Sequence, residues 1–238
     1  MRNCPLCRGM VEENAEVCPS CGQALSAPGP VIFGGIVQPG KYLRGGWELF
    51  KLYPGGFVAF ALLFFIIQGI LSYLPRIGGL ISLALTAPLG AGFYVVSAKL
   101  MQRRTPEFQD FFTGFQFFLP LLLLSVVSAL LIILGFILLI LPGIFLMVCY
   151  LFASMLVIDQ RLDFWPAMEL SRRTVQTQWF GFFIFLLLLF LINLGGAALL
   201  GIGLLVSLPV SACAVAAAYV DVFGLQSDYS GNIPTLKT

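Results

Sequence analysis

At 238 residues the chain is only 10% charged, and its mean hydropathy is +0.98; ordinary globular domains carry about 25% charged residues. So little polar surface cannot cover a water-facing core, and part of the solvent must be lipid. The net charge of +2 is too small to point to nucleic acid as a partner. The absence of His excludes Ser-His-Asp and Cys-His nucleophile systems, HExxH metallohydrolases and histidine proton relays.

The chain opens on "NCPLCRGMVEENAEVCPSCGQAL", in which Cys4, Cys7, Cys18 and Cys21 form two C-x2-C pairs. Two thiolates of one such turn share a metal, and two turns complete a tetrahedral Cys4 site for Zn2+. Pro5 and Pro19 restrain the knuckles, while Gly9 and Gly22 relieve the turns that follow. A closed four-thiolate site leaves no position for water, so the expected zinc is structural. Residues 1–25 are read as this zinc ribbon, with a redox dithiol as the competing reading. The ribbon carries Arg2 and Arg8 against Glu12, Glu13 and Glu16, which disfavours phosphate binding and favours a protein partner. Residues 26–40, "SAPGPVIFGGIVQPG", follow as a loose linker reaching about 20 Å. Met1 leads into the cysteines with no apolar run, so no secretory leader is expected.

Residues 41–224 are read as the membrane domain. Leu52–Ala98 holds one charge (Arg76) in 47 residues, whereas Phe111–Ile158 and Thr174–Val220 hold none in 48 and 47. Each would make a helix of about 70 Å, over twice a hydrocarbon core of about 30 Å. Each must therefore fold back, which predicts an all-α polytopic membrane protein with six transmembrane helices arranged as three hairpins. "LPRIGG" separates a first span near 56–74 from a second near 77–101. "LPG" at Leu141–Gly143 or, alternatively, Gly135 divides spans three and four. "NLGGAALLGIG" divides spans five and six, and Pro209 falls within span six. Each hairpin is preceded by a charged amphipathic stretch running into aromatic residues and glycine: Gly45–Phe57, Pro106–Phe115 and Pro166–Phe182. These are either the interfacial helices of a threefold pseudo-repeat or the ordinary composition of a membrane boundary.

Charge sets the orientation. Arg2, Arg8, Lys41, Arg44, Lys51, Lys99, Arg103, Arg104, Arg161, Arg172, Arg173 and Lys237 fall on one side and Arg76 alone on the other. The positive-inside rule puts both termini in the cytoplasm and, for a bacterial chain, the protein in the inner membrane, with residues 225–238 as a cytoplasmic tail. A reducing compartment favours metal over disulfides at the cysteine pairs.

In "DFWPAMELSRRTVQTQW", Phe164, Met168, Ser171, Val175 and Trp179 share one helical face, and Glu169, Arg172, Arg173 and Gln176 the other. Arg172 and Arg173 either hold lipid headgroup phosphates or serve only as topology signals. Within the spans the polar residues are Gln68, Ser125, Ser128, Ser154 and Asn193, with no carboxylate or arginine at mid-depth, which disfavours ion-coupled transport. Cys149 and Cys213 read as packing residues. Ser207/Ser211, Ala212/Ala216 and Cys213/Ala217 are small-xxx-small pairs that predict span six to be the most enclosed, and Asp221 beyond it is expected to be solvated.

The runs Leu141–Thr174 and Gly201–Gly224, through Pro142, Gly143, Tyr150, Asp159, Ala167, Ser171, Pro209 and Tyr219, resemble a group of bacterial multi-pass proteins. That group includes the membrane region attached to some glycerophosphodiester phosphodiesterases. The N-terminus separately resembles a zinc ribbon of the CPxCG type, with Arg8 in place of the first glycine after the pair. The resemblance implies a membrane architecture and no reaction, because the phosphodiesterase domain needs His. The function expected is a non-enzymatic membrane protein presenting a cytoplasmic zinc ribbon for assembly or docking. The alternative is handling of lipid or a small molecule. The orientation has a direct check: a cysteine replacing Arg76 should react with an impermeant maleimide added outside intact cells, and one replacing Gln109 should not. The reverse labelling would invert the topology.

Overall fold

In lipid, a backbone N–H or C=O has no water to bond, so long uncharged runs are driven to helix. The computed structural model describes residues 2–3, 10–11, 35–74, 78–199 and 201–225. The chain divides into two units, Met1–Ile32 and Phe33–Thr238. In the first, strand β1 (Arg2–Asn3) pairs antiparallel with β2 (Met10–Val11), with Arg2 opposite Val11 and Asn3 opposite Met10. The four ribbon cysteines lie outside the described residues, as do Arg76 and the 226–238 tail.

The second unit is helical among its described residues. In chain order it has α1 (Pro39–Leu52), α2 (Pro54–Ser72), α3 (Gly78–Met101), a 3-10 helix (Phe108–Phe117), α4 (Phe118–Leu138) and α5 (Ile140–Cys149). Then come α6 (Ala153–Asp159), α7 (Phe164–Gln176), α8 (Trp179–Ala198) and α9 (Leu204–Phe223). Among the described residues, six segments are long and apolar enough to cross a membrane: Pro54–Ser72, Ile81–Met101, Phe108–Leu138, Ile140–Asp159, Trp179–Ala198 and Leu204–Phe223. The protein is a polytopic helical membrane protein.

The boundaries follow local chemistry. Pro39 and Pro54 sit in the first turns of α1 and α2, where a missing N–H costs nothing. The turn between spans three and four falls at neither expected position. It is the single extended residue Leu139 (φ −162°, ψ 150°), which leaves Pro142 in the first turn of α5. Gly135 and Gly143 face each other across it; a Cβ on Gly135 would lie 3.0 Å from Gly143 Cα, so a tight return needs both to be small. Span four is broken after Cys149. There Ser171 on α7 donates to the Cys149 carbonyl (2.7 Å) and accepts from the Phe152 N–H (3.3 Å), restoring partners that the break removes. α7 buries Met168, Ser171 and Val175, three residues of the expected apolar face, together with Ala167, Leu170 and Thr174. Trp179 belongs instead to α8, where its ring stacks on Phe145 and its indole N–H faces the Phe145 carbonyl.

Lipid supplies no hydrophobic drive between helices, so close packing has to hold the bundle. Spans two and six are the most enclosed, each 56% buried, against 17% for span three. Span six therefore shares its central place with span two. Phe57, Phe60, Phe93 and Phe111 form an aromatic core, with Phe60 and Phe111 stacked at 4.3 Å. α1 packs along α9 and the 3-10 helix along α3. At the first contact a Cβ on Gly46 would lie 2.6 Å from the Ala214 backbone nitrogen, and at the second a Cβ on Gly92 would meet the Phe111 backbone. Gly46→Val should therefore cost about 1–3 kcal/mol of stability. Gly55, whose added Cβ meets nothing within 4 Å, should tolerate Ala within about 0.5 kcal/mol. Thermal unfolding of the two variants in detergent measures the difference.

Candidate functional site at the charged end

Every charged residue among the described residues of the second unit lies in segments 41–51, 99–110, 159–173 or at 221. Six alternating spans bring those segments to one end of the bundle. A charge beside hydrocarbon is costly unless paired. Lys99 at the end of α3 meets Asp110 at 2.6 Å, with both side chains largely buried. Asp110 also accepts the Glu107 backbone N–H (2.8 Å), capping the 3-10 helix. The aspartate thus completes a helix start and neutralises the end of a span.

At the end of α9, Asp221 accepts hydrogen bonds from Lys41 (2.7 Å) and from the Tyr42 hydroxyl (2.8 Å), both on α1. The expectation of a merely solvated Asp221 is corrected here: α1 lies over the end of span six and supplies two donors. Burial, and then the Asp221 hydrogen bond, push the Tyr42 phenol well above its ordinary range. At the end of span four, buried Asp159 accepts from the Tyr219 hydroxyl at 2.8 Å. Tyr219 also packs edge-on against Tyr94 of α3 (5.4 Å) and Phe152 beside the break (6.1 Å). Spans two, four and six therefore meet around one tyrosine.

On α7, Arg172 makes two hydrogen bonds to Glu169 (2.8 and 2.9 Å) and Arg173 one (2.6 Å). The hydrogen bond from Arg172, then that from Arg173, hold the Glu169 carboxyl down at about 2. The same bond raises Arg172 above its ordinary value. The two arginines and one carboxylate form a cluster of net charge +1. Gln178 just beyond accepts the Val37 N–H (2.9 Å) and donates to the Gly35 carbonyl, which fixes the approach to α1.

Deeper in the spans, Gln68 accepts from Ser82 and donates to Thr86 (2.8 Å). Asn193 donates to Ser211 (2.8 Å) and accepts from Ser207 (2.9 Å), tying α8 to α9 through two of the small residues expected to mark that interface. Cys149 and Cys213 are free and buried, and Ser97 meets Cys213 Sγ at 3.3 Å. Two cavities stand out. One, of about 390 Å³, lies by the charged end and is lined by Gly45, Glu48, Leu49, Leu52, Met101, Ala217 and Val220. The other, of about 320 Å³, lies between α3, α4 and the break in span four.

Of the residues that carried the sequence resemblance, Asp159 pairs with Tyr219, Ser171 sits on the break beside Tyr150 and Ala167 is fully buried on α7, whereas Pro142 and Gly143 lie apart at the return between spans three and four. Tyr42 and Asp110 went unread in the sequence, although a lone charge at a span end implies a nearby partner. Among the described residues no three His, Cys, Asp or Glu side chains gather as a metal site. No family model, no curated protein and no solved structure matches the chain.

A pH dependence follows from Glu169. Its ordinary value of 4.5 is depressed to about 2 in the fold, so its contribution to stability is present above pH 4.5 and is lost as pH falls through about 2. Carboxyl NMR of the labelled protein should show Glu169 titrating near 2 and returning toward 4.5 in Arg172→Gln combined with Arg173→Gln.

Proposed function

We propose that this chain is a non-enzymatic integral membrane protein that presents a structural zinc ribbon on the cytoplasmic face as an assembly or docking module. Its membrane domain is read as three hairpins, each led by an interfacial segment: α1, the 3-10 helix and α7. The inner-membrane assignment and the cytoplasmic termini rest on the count of 12 Lys/Arg on one side against one on the other. The kinship with the multi-pass group attached to glycerophosphodiester phosphodiesterases rests on sequence resemblance alone.

One observation carries the ribbon reading. The pairing of Arg2–Asn3 with Met10–Val11 brackets residues 4–9, the stretch that holds the first C-x2-C pair. A turn closed by a short antiparallel ladder is what a thiolate knuckle needs to aim both sulfurs at one metal. The donor set fits Zn2+: Cys4, Cys7, Cys18 and Cys21 offer four thiolates, and four-coordinate zinc takes all of them. Bound there, the metal would hold the small fold together and supply no catalysis. Nucleic acid is not the proposed partner, since the ribbon is acidic before metal; a protein partner is.

The second reading, handling of lipid or a small molecule, draws support from the cavity between α3, α4 and span four. Its lining includes neither Gln68, Asn193 nor the arginine pair, although Gln68 hydrogen-bonds to Thr86, which does line it. Arg172 and Arg173 keep their proposed role as a headgroup contact, with the cluster's net positive charge as the reason.

Elemental analysis of the full chain should give one zinc per molecule. Cys4→Ser with Cys7→Ser should remove it without moving the unfolding midpoint of the membrane domain. Zinc-free wild-type protein, or disulfides among these four cysteines in protein taken from the cytosolic face, would contradict the assignment.

A further inference from the structure

The break in span four puts polar groups where lipid would otherwise be. Between Cys149 and Ala153 the helix stops, and Ser171 satisfies one carbonyl and one N–H there. The adjoining cavity, of about 320 Å³, is walled by Tyr150, Ala153 and Ser154 at the break, by Thr86, Ala87, Gly90 and Ala91 of α3, and by Ser125 and Ser128 of α4. Most of these hydroxyls are already used. Thr86 donates to the Ser82 carbonyl (2.7 Å), Ser125 to Leu122 (2.8 Å) and Ser128 to Ser125 (3.2 Å). The Tyr150 and Ser154 hydroxyls have no hydrogen-bond partner among the described residues.

A hydroxyl donor facing hydrocarbon without an acceptor is costly. The occupant of this trough must therefore bring an acceptor and be soluble in the bilayer. The wall of Ala87, Gly90 and Ala91 leaves room for a chain to lie along α3, since an added Cβ on Gly90 meets nothing within 4 Å. The depth of the trough is set by α7. Ser171 touches the break, so its chain neighbour Arg172 places the basic cluster of α7 next to the end of the trough where Tyr150 lies. An ester carbonyl lies directly beneath a phospholipid headgroup, with its acyl chain continuing inward.

We propose that the trough between α3, α4 and the break in span four binds one chain of an anionic glycerophospholipid, with Tyr150 and Ser154 donating hydrogen bonds to its ester carbonyl and the phosphate lying toward the Arg172–Arg173 cluster. Ala87, Gly90, Ala91 and Ala153 form the bed for the acyl chain. This deepens the lipid-handling reading and is independent of the zinc ribbon.

The test uses delipidated full-length protein in detergent and native mass spectrometry. The probes are ester-linked phosphatidylglycerol and its ether-linked counterpart, which has the same chains and headgroup but no carbonyls. Wild type should prefer the ester lipid by about tenfold, the value of two modest hydrogen bonds. Tyr150→Phe with Ser154→Ala should erase that preference. Gly90→Leu fills the trough from a position with open space around it, so it should fold normally and lower retention of both lipids by about tenfold. Equal binding of ester and ether lipid by wild type would overturn the proposal, as would tighter binding of a short-chain quinone than of either lipid. Unchanged retention by Gly90→Leu would overturn the trough as the site while leaving lipid association elsewhere intact. No retained lipid in any form would remove the lipid-handling reading as well.

Discussion

Hydrocarbon offers no hydrogen-bond partner, and that constraint orders the membrane domain. Backbone groups in the spans find partners within helices, and the return at Leu139 is a single residue. The break in span four exists only where Ser171 can re-satisfy it. Gln68 and Asn193 are each held by two side chains from a neighbouring helix. Among the described residues of the membrane domain the charges gather at one end, and Lys99, Asp159 and Asp221, each at or near the end of a span, meet partners on the segments packed against them.

Three contacts, two of them from these charges and one from the break in span four, follow a cyclic order. Span two, through Lys99, meets the 3-10 helix that opens span three. Span four, through the Cys149 carbonyl, meets α7, which leads into span five. Span six, through Asp221, meets α1, which leads into span one. Each contact joins a span to the lead-in of the next, and the last returns to the first. Small residues let the backbones approach at two of the three, Gly46 against Ala214 and Gly92 against Phe111. Their packing, more than the ion pairs, carries the stability. The Lys41–Asp221 pair is partly exposed and worth at most about 1 kcal/mol. The more buried Lys99–Asp110 pair loses in desolvation much of what it gains in attraction.

Much of this was legible in the chain. Runs of 47 and 48 residues with at most one charge are too long for one crossing, and breakers divide the first and third close to the boundaries between α2 and α3 and between α8 and α9. The buried face of α7 followed from helical spacing because Met168, Ser171 and Val175 repeat at three and four residues. The partner of Asp221 could not be read this way, since it lies 180 residues away and closure of the ring has no local signature. The turn between spans three and four eluded the choice between Pro142 and Gly135 because both contribute: one begins a helix and the other permits the close return. The cavity was illegible too, since Tyr150 and Ser154 look like ordinary span residues until the helix breaks between them.

Cross-linking tests the closure of α1 onto span six most directly. A Cβ on Gly45 would lie 3.4 Å from that of Ala217, close to the separation that a disulfide requires. Isolated native membranes carrying Gly45→Cys and Ala217→Cys, treated with a mild oxidant, should yield a linked peptide pair joining positions 45 and 217 in high yield. The control pair Gly40→Cys and Ala217→Cys should yield none. Absence of the 45–217 link, or equal linking from position 40, would contradict the closed arrangement.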